Sequence, residues 1–240
     1  MRSSRAPHRG SARCSRANWS SAARTLVLVA RWHDKLEALA EQLRDRSGVS
    51  IEVLACDLSK PGAGAALATG LAERGVRIDV LVNNAGFGLF GPLHEADPAR
   101  TSQQVQLNVT ALTELTCALL PQMRARDHGA IVNVASTAAF QPLPYMAVYG
   151  ATKAYVLSFT EALWAETRGT SVRVTALCPG ATRHRVLRHR LRPRIDRPSD
   201  GARAGRRRRV SALERRRCSV IPGLGNRLLA SAPAWLHARQ

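Results

Sequence analysis

The chain has 240 residues, 45% of them hydrophobic, with 36 Lys or Arg against 17 Asp or Glu and a formal net charge of +19. That length suits one α/β domain with a full core, and no apolar run approaches the roughly 18 residues that a membrane helix needs. The five cysteines (Cys14, Cys56, Cys117, Cys178 and Cys218) form no C-x-x-C pair and the seven His no metal-ligand grouping, which points to no metal site, no disulfide frame and a reduced, cytoplasmic setting.

The positive charge is concentrated in two places. Residues 1–24 hold six Arg and no acid, for +6, and residues 183–217 hold fifteen Arg against Asp196, Asp200 and Glu214, for +12. The rest of the chain is left with +1 (19 less 6 less 12). A basic nucleic-acid arm is the competing reading of the second segment. Such arms mix in Lys and stacking aromatics, and this segment has neither, so no nucleic-acid partner is expected. The first segment, rich in Arg and Ser and without apolar periodicity, is similar in composition to an organellar transit peptide.

From Thr25 onward the pattern becomes regular. Thr25–Ala30 is continuously apolar, as a strand buried on both faces should be, and it ends at Arg31. His33–Arg46 is an amphipathic helix with Leu36, Leu39, Ala40 and Leu43 on one stripe. A strand over Val49–Ala55 leads to Asp57 and Leu58, and another over Asp79–Val82 leads to Asn83-Asn84-Ala85-Gly86. Phe87–Pro92 reads as a loop. Residues 101–124 form a long helix containing Asn108, which needs partners if buried.

A strand over Ala130–Val134 delivers Ser136 to its C-terminal end, where α/β sheets place their ligands. A loop, Phe140–Tyr145, follows with Pro142 and Pro144. The helix from Met146 to Arg168 then carries Tyr149 and Lys153. Residues four apart share a helix face, so the Tyr149 hydroxyl and the Lys153 ammonium can share a site. A cation beside a phenol favours the phenolate, and that makes a tyrosine usable as a general acid or base. The last clear strand, Val172–Leu177, ends at Cys178-Pro179-Gly180, and Val220–Asn226 reads as a strand and turn before an apolar tail.

Tyr149-Gly-Ala-Thr-Lys153, Ser136 thirteen residues before it, Asn108 and Asn83-Asn84-Ala85-Gly86 come in an order that resembles the classical short-chain dehydrogenase/reductase family. The resemblance covers roughly residues 25–182. It implies a Rossmann-like doubly wound parallel sheet and hydride transfer between a nicotinamide cofactor and a small carbonyl or alcohol substrate. It further implies that Tyr149 exchanges the proton with the substrate oxygen. Lys153 would favour ionisation of that tyrosine and bind the nicotinamide ribose, Ser136 would position the substrate, and Asn108 would complete a proton relay through a water.

Cofactor contacts are expected at Arg31, Asp57, Leu58, Asn83, Ala85, Gly86, Tyr149, Lys153, Pro179 and Gly180. An Arg where an NAD site would place an acid accommodates a 2′-phosphate, so Arg31 favours NADP over NAD. The family allows a homo-oligomer. For Asp57 and Asn108, purely structural roles stand as alternatives, and for Arg31 the alternative is a solvated residue at a strand end.

Two parts of the family pattern are absent. The run Thr25–Ala30 looks like the family's second strand, so the first strand and the turn T-G-x-x-x-G-x-G are missing or corrupted. Those glycines let backbone amides at a helix N-terminus approach the pyrophosphate. Codons for Met1–Ala12, read two bases later, permit Ala-Val-Val-Thr-Gly-Ala-Ser-Ser-Gly-Ile-Gly, which is that fingerprint. A one-base shift after Arg183 permits Thr-Glu-Phe-Phe-Asp-Thr. Residues 1–24 and 183–211 are therefore read as frame-shifted, the second replacing a substrate lid, with residues 25–182 and 212–240 as the native domain. The alternative function is that of an inactive product of such a gene.

Overall fold

The computed structural model describes residues 25–180, 217–223 and 226. The two segments expected to be frame-shifted, 1–24 and 183–211, lie outside these residues. The chain divides into two compact units, Met1–Ala55 and Cys56–Gln240.

In the first unit, strand β1 (Thr25–Ala30) pairs in parallel with β2 (Ser50–Ala55), joined by helix α1 (His33–Ser47). Gly48 closes the helix in the left-handed conformation at φ 62°, its amide bonded to the Arg44 carbonyl. Leu36 and Ala40, on the predicted stripe, are buried with Ile51, whereas Leu39 is exposed.

The second unit holds a parallel sheet in the order β3 (Val80–Asn83), β4 (Gly129–Val134), β5 (Val172–Leu177) and β6 (Ser219–Val220). Helix α2 (Ala63–Glu73), which the sequence pattern did not reveal, precedes β3. A Cβ on its Gly64 would lie 2.7 Å from the Ala111 carbonyl oxygen, so only glycine allows that close approach.

The long helix expected over residues 101–124 is divided. Asp97 caps α3 (Pro98–Val105) by accepting the Ala99 amide at 2.9 Å. A π-helical turn (Gln106–Thr110) follows, and α4 (Ala111–Ala125) completes the run. Helix α5 (Ala147–Glu166) packs with α4 on β4 and β5, where Leu119, Met123, Ile131, Leu163, Val172 and Val174 form one core cluster. Among the described residues no helix is long and apolar enough to cross a membrane.

Strands β3 and β4 are held in register by more than backbone. Asn83 and Asn133 are cross-strand partners, and the Asn83 amide donates to Asn133 Oδ1 at 2.9 Å and to Thr116 Oγ1 at 3.2 Å. Asn133 in turn donates to Thr160 Oγ1 at 3.0 Å. All four side chains are buried, and the network joins both strands to α4 and α5. Slipping the strands by one residue would strand these groups without partners, which costs far more than the bonds contribute.

Candidate active site

The site forms in the second unit, at the C-terminal ends of β3, β4 and β5. Tyr145 adopts the left-handed region at φ 62°, a conformation unusual for a non-glycine residue. Its carbonyl accepts the Gly91 amide at 2.8 Å, and its ring lies 5.9 Å from that of Phe90. The Phe87–Pro92 loop and the residues leading into α5 are thereby tied together, just before Tyr149.

Lys153 sits one turn beyond Tyr149 and is only 6% exposed. Its ammonium donates to the Val134 carbonyl at 2.7 Å and lies 5.9 Å from the centre of the Tyr149 ring. Burial brings its pKa down from 10.5 to about 8, because a cation loses its hydration there. Cys178, close to Lys153, is pushed up to about 12, chiefly by burial. Its thiol stays protonated at neutral pH, so it is no nucleophile.

Asn108, 1% exposed, sits within the π turn, a feature that often marks functional positions. Its Oδ1 accepts the Phe87 amide at 3.1 Å, and its Nδ2 donates to the Phe87 carbonyl at 2.9 Å and to Thr152 Oγ1 at 3.1 Å. Thr152 donates on to the Tyr149 carbonyl at 2.8 Å. Both amide N–H groups are thus engaged in clamping the backbone after Gly86 to α5. A relay water is left only the second lone pair of Oδ1 or the main-chain carbonyl.

The Asn83-to-Gly86 stretch passes this clamp closely. A Cβ on Gly86 would lie 2.9 Å from Asn108 Oδ1 and 3.5 Å from Lys153 Nζ. One on Gly88 would lie 3.0 Å from Tyr149 Cδ2 and from Met146 Cε. Ala85 and Gly86 are exposed, whereas Asn83 turns its side chain into the core network.

Ser136 caps the short 3-10 turn Thr137–Phe140 by accepting the Ala138 amide at 3.1 Å. That turn packs against the start of α5, with the Ala138 carbonyl 3.9 Å from where a Gly150 Cβ would stand. The Thr137 amide donates to the Pro179 carbonyl at 3.0 Å, which brings the Pro179-Gly180 turn alongside. Tyr149, Lys153, Asn108, Gly86, Ser136 and Pro179 are therefore joined by one short chain of contacts.

The other predicted residues are placed differently. Asp57 Oδ1 accepts the Ser59 amide at 3.0 Å and the Ser59 hydroxyl at 2.6 Å, the arrangement of a turn-capping Asp. Leu58 is buried. Arg31 belongs to the first unit, exposed at the end of β1, with its guanidinium 5.7 Å from the Trp32 ring and the Lys35 ammonium 3.6 Å from the same ring. Thr152 is a supporting residue outside the predicted set. The signal for Thr152 was available: its place between Tyr149 and Lys153 puts it on the side of α5 that packs toward Asn108.

The chain matches the short chain dehydrogenase family over residues 12–194, a span that reaches into both basic segments. It is 38% identical over 173 residues to a sulfoacetaldehyde reductase of Chromohalobacter salexigens, covering 71% of this chain and 68% of that protein. It is 37% identical over 141 residues to the NADP-dependent 3-hydroxy acid dehydrogenase YdfG of Escherichia coli, covering 58% of this chain and 57% of that one. Among solved structures, a short-chain dehydrogenase from Sphingobium yanoikuyae in complex with NADPH superposes with a TM-score of 0.70 at 33% identity, covering 90% of this chain and 86% of that chain. With the α/β fold, the Tyr-Lys helix and the Asn-clamped loop in place, these similarities establish the chain as an oxidoreductase of the short-chain dehydrogenase family.

Proposed function

We propose that this chain catalyses reversible hydride transfer between NADP(H) and a small carbonyl or alcohol substrate, with Tyr149, Lys153, Ser136 and Asn108 as its working residues. The observation that carries the reading is the Lys153 ammonium, buried beside Tyr149 and near Gly86. A desolvated cation there has no packing purpose, and removing it from water is costly. Beside a phenol it stabilises negative charge on the tyrosine oxygen, and this supports proton exchange between Tyr149 and the substrate oxygen. The Ser136 hydroxyl, at the mouth of β4, is placed to donate to the same oxygen as charge develops on it.

The residues around this point fit the nicotinamide end of a cofactor. Gly86 and Gly88 let the backbone of this stretch run close against Asn108, Lys153 and Tyr149, where a Cβ would crowd those side chains. Lys153 would hold the ribose, Ala85 and Gly86 would line its path, and Pro179 and Gly180 would flank the ring. The nicotinamide supplies the hydride. The 2′-phosphate would be met by Arg31, and the NADP and NADPH named with relatives support that choice over NAD. Asp57 and Leu58 remain proposed neighbours of the adenine. The Phe87–Leu93 and Phe140–Tyr145 loops would choose the substrate. A cytoplasmic setting suits free thiols such as exposed Cys117.

The test is a titration of the full chain with NADPH and NADH, followed by carbonyl reduction over aldehydes, ketones and 3-oxo acids. Binding of NADPH in preference to NADH, with turnover lost in Tyr149→Phe, is expected. Turnover that survives in Tyr149→Phe refutes the assignment.

A second reading concerns the basic segments. We infer that residues 1–24 and 183–211 come from shifted reading frames and that the chain as written is impaired. Among the described strands β3 pairs only with β4, and its Val80 and Val82 are 44% and 57% exposed. Strands of a parallel sheet are ordinarily covered on both faces, so this apolar edge supports a missing neighbour. An independent DNA read across codons 1–26 and 183–212 decides it: a gained or lost base at each segment supports the inference, and an unbroken written frame ends it.

A further inference from the structure

A contact made by the C-terminal segment bears on the site from outside. The Pro179-Gly180 turn follows β5, and the Pro179 carbonyl holds the Thr137 amide next to Ser136. Gly180 is not among the glycines at positive φ, so its need for glycine is one of space. A Cβ there would lie 2.5 Å from both Nδ2 and Oδ1 of Asn226 and 2.7 Å from its Cγ, closer than real Cβ contacts come. Asn226 is itself anchored, since its Nδ2 donates to the Pro222 carbonyl at 2.7 Å. Pro222 follows β6, where the Val220 carbonyl accepts the Cys178 amide at 2.8 Å. The amide of Asn226 thus rests on the turn as a plate fixed from behind.

We propose that Asn226 is a positioning residue: by packing on Gly180 it holds the Pro179 carbonyl in place, and through it the Thr137 amide and Ser136. Its effect on turnover rests on the reading that Ser136 orients the substrate. Its structural half rests on these contacts alone. A side chain near the end of the chain, far in sequence from Ser136, would in this way set the geometry of the oxygen site. Shifts on the scale of an ångström at such a site are enough to lower turnover strongly.

Amide hydrogen exchange on the full chain, read by two-dimensional NMR, tests this directly. Exchange at Thr137 is compared with that at Ile131, a core amide of β4, in the same sample, so that any global loosening cancels. In Asn226→Ala the Thr137-to-Ile131 ratio is expected to rise about tenfold, as local opening replaces a held turn. An unchanged ratio overturns the proposal, whether or not the variant is less stable overall. Gly180→Ala is expected to raise the ratio further by clash, and its added effect should vanish when Asn226 is also Ala; additive effects would count against the contact.

With cofactor and substrate, Asn226→Ala should lower kcat several-fold, with a smaller loss of NADPH affinity because the same turn flanks the nicotinamide. The two readings fail separately. Full activity in Ser136→Ala removes the site assignment while a raised exchange ratio still upholds the role of Asn226. An unchanged ratio removes Asn226 while lost activity in Ser136→Ala upholds the site.

Discussion

Strands β1 and β4 look alike as sequence and differ as structure. Thr25–Ala30 and Gly129–Val134 are both six-residue apolar runs. Yet β1 is half-buried at best and exposed at both ends, whereas four of the six residues in β4 are buried. The difference lies in the neighbours. β4 is flanked by β3 and β5 and roofed by α4 and α5, while among the described residues β1 pairs with β2 alone. Apolar composition identifies a strand, but burial follows from what lies on its two edges and two faces. The candidate site lies at the end of this well-covered sheet, where the Lys153 ammonium is held out of water beside Tyr149.

The largest effect that would sharpen this contrast is chemical. Tyr149→Phe removes one hydroxyl at the buried end and should lower turnover about 10²- to 10⁴-fold. Steady-state kinetics would check this, and unchanged circular dichroism would show that the fold is intact.

The contrast in packing comes next. Ile131 is fully buried in β4, so Ile131→Ala should destabilise the chain by about 2–5 kcal/mol in urea unfolding. Leu26 in β1 is 40% exposed, and Leu26→Ala should cost well under half of that. Equal losses would mean that β1 is covered in solution as fully as β4, and the comparison would break.

The dependence on pH is a subtler probe of the same burial. Lys153 ionises near pH 8 in the folded chain against an ordinary 10.5, so the folded state gives up its proton first as pH rises. Below about pH 8 both states are protonated, and the full cost of burying the cation is felt. Between pH 8 and 10.5 the unfolded chain binds more protons, so stability should rise with pH by up to a few kcal/mol. Lys153→Met should abolish that rise. Thermal melts of the two proteins from pH 7 to 10.5 would show it, and parallel curves would mean that Lys153 is hydrated.

The smallest effect expected is at the exposed end. Arg31→Ala should lower the preference for NADPH over NADH by roughly tenfold, the scale of one charge-assisted contact in a partly solvated place. Ratios of kcat/KM for the two cofactors would measure it. An unaltered ratio would return Arg31 to the status of a solvated strand end.

Much of this was legible in the chain itself. The strands Thr25–Ala30 and Val172–Leu177 coincide with the expected spans, and the Tyr149 helix begins within a residue of its predicted start. These succeed because periodicity and turn residues are local signals. α2 escaped notice because Ala63–Glu73 is mostly Ala and Gly, which leaves little apolar contrast between its faces. The break at Asn108 was equally hidden, since a π turn is a matter of backbone register and no residue type announces it.

What the sequence determined by itself was the family and most of the elements, and it supplied the candidates for the reactive residues, because spacing of four along a helix and small residues after a strand are written in one dimension. Only the tertiary structure decided which polar groups carry the site and which merely support it. The partners of the Asn83 side chain are Asn133 and Thr116, while Asn108 is occupied in clamping Phe87 and Thr152. The burial of Lys153 and the seat of Asn226 on Gly180 belong to the same class. Each depends on residues dozens of positions apart arriving within about 3 Å, the range over which hydrogen bonds and steric contact act.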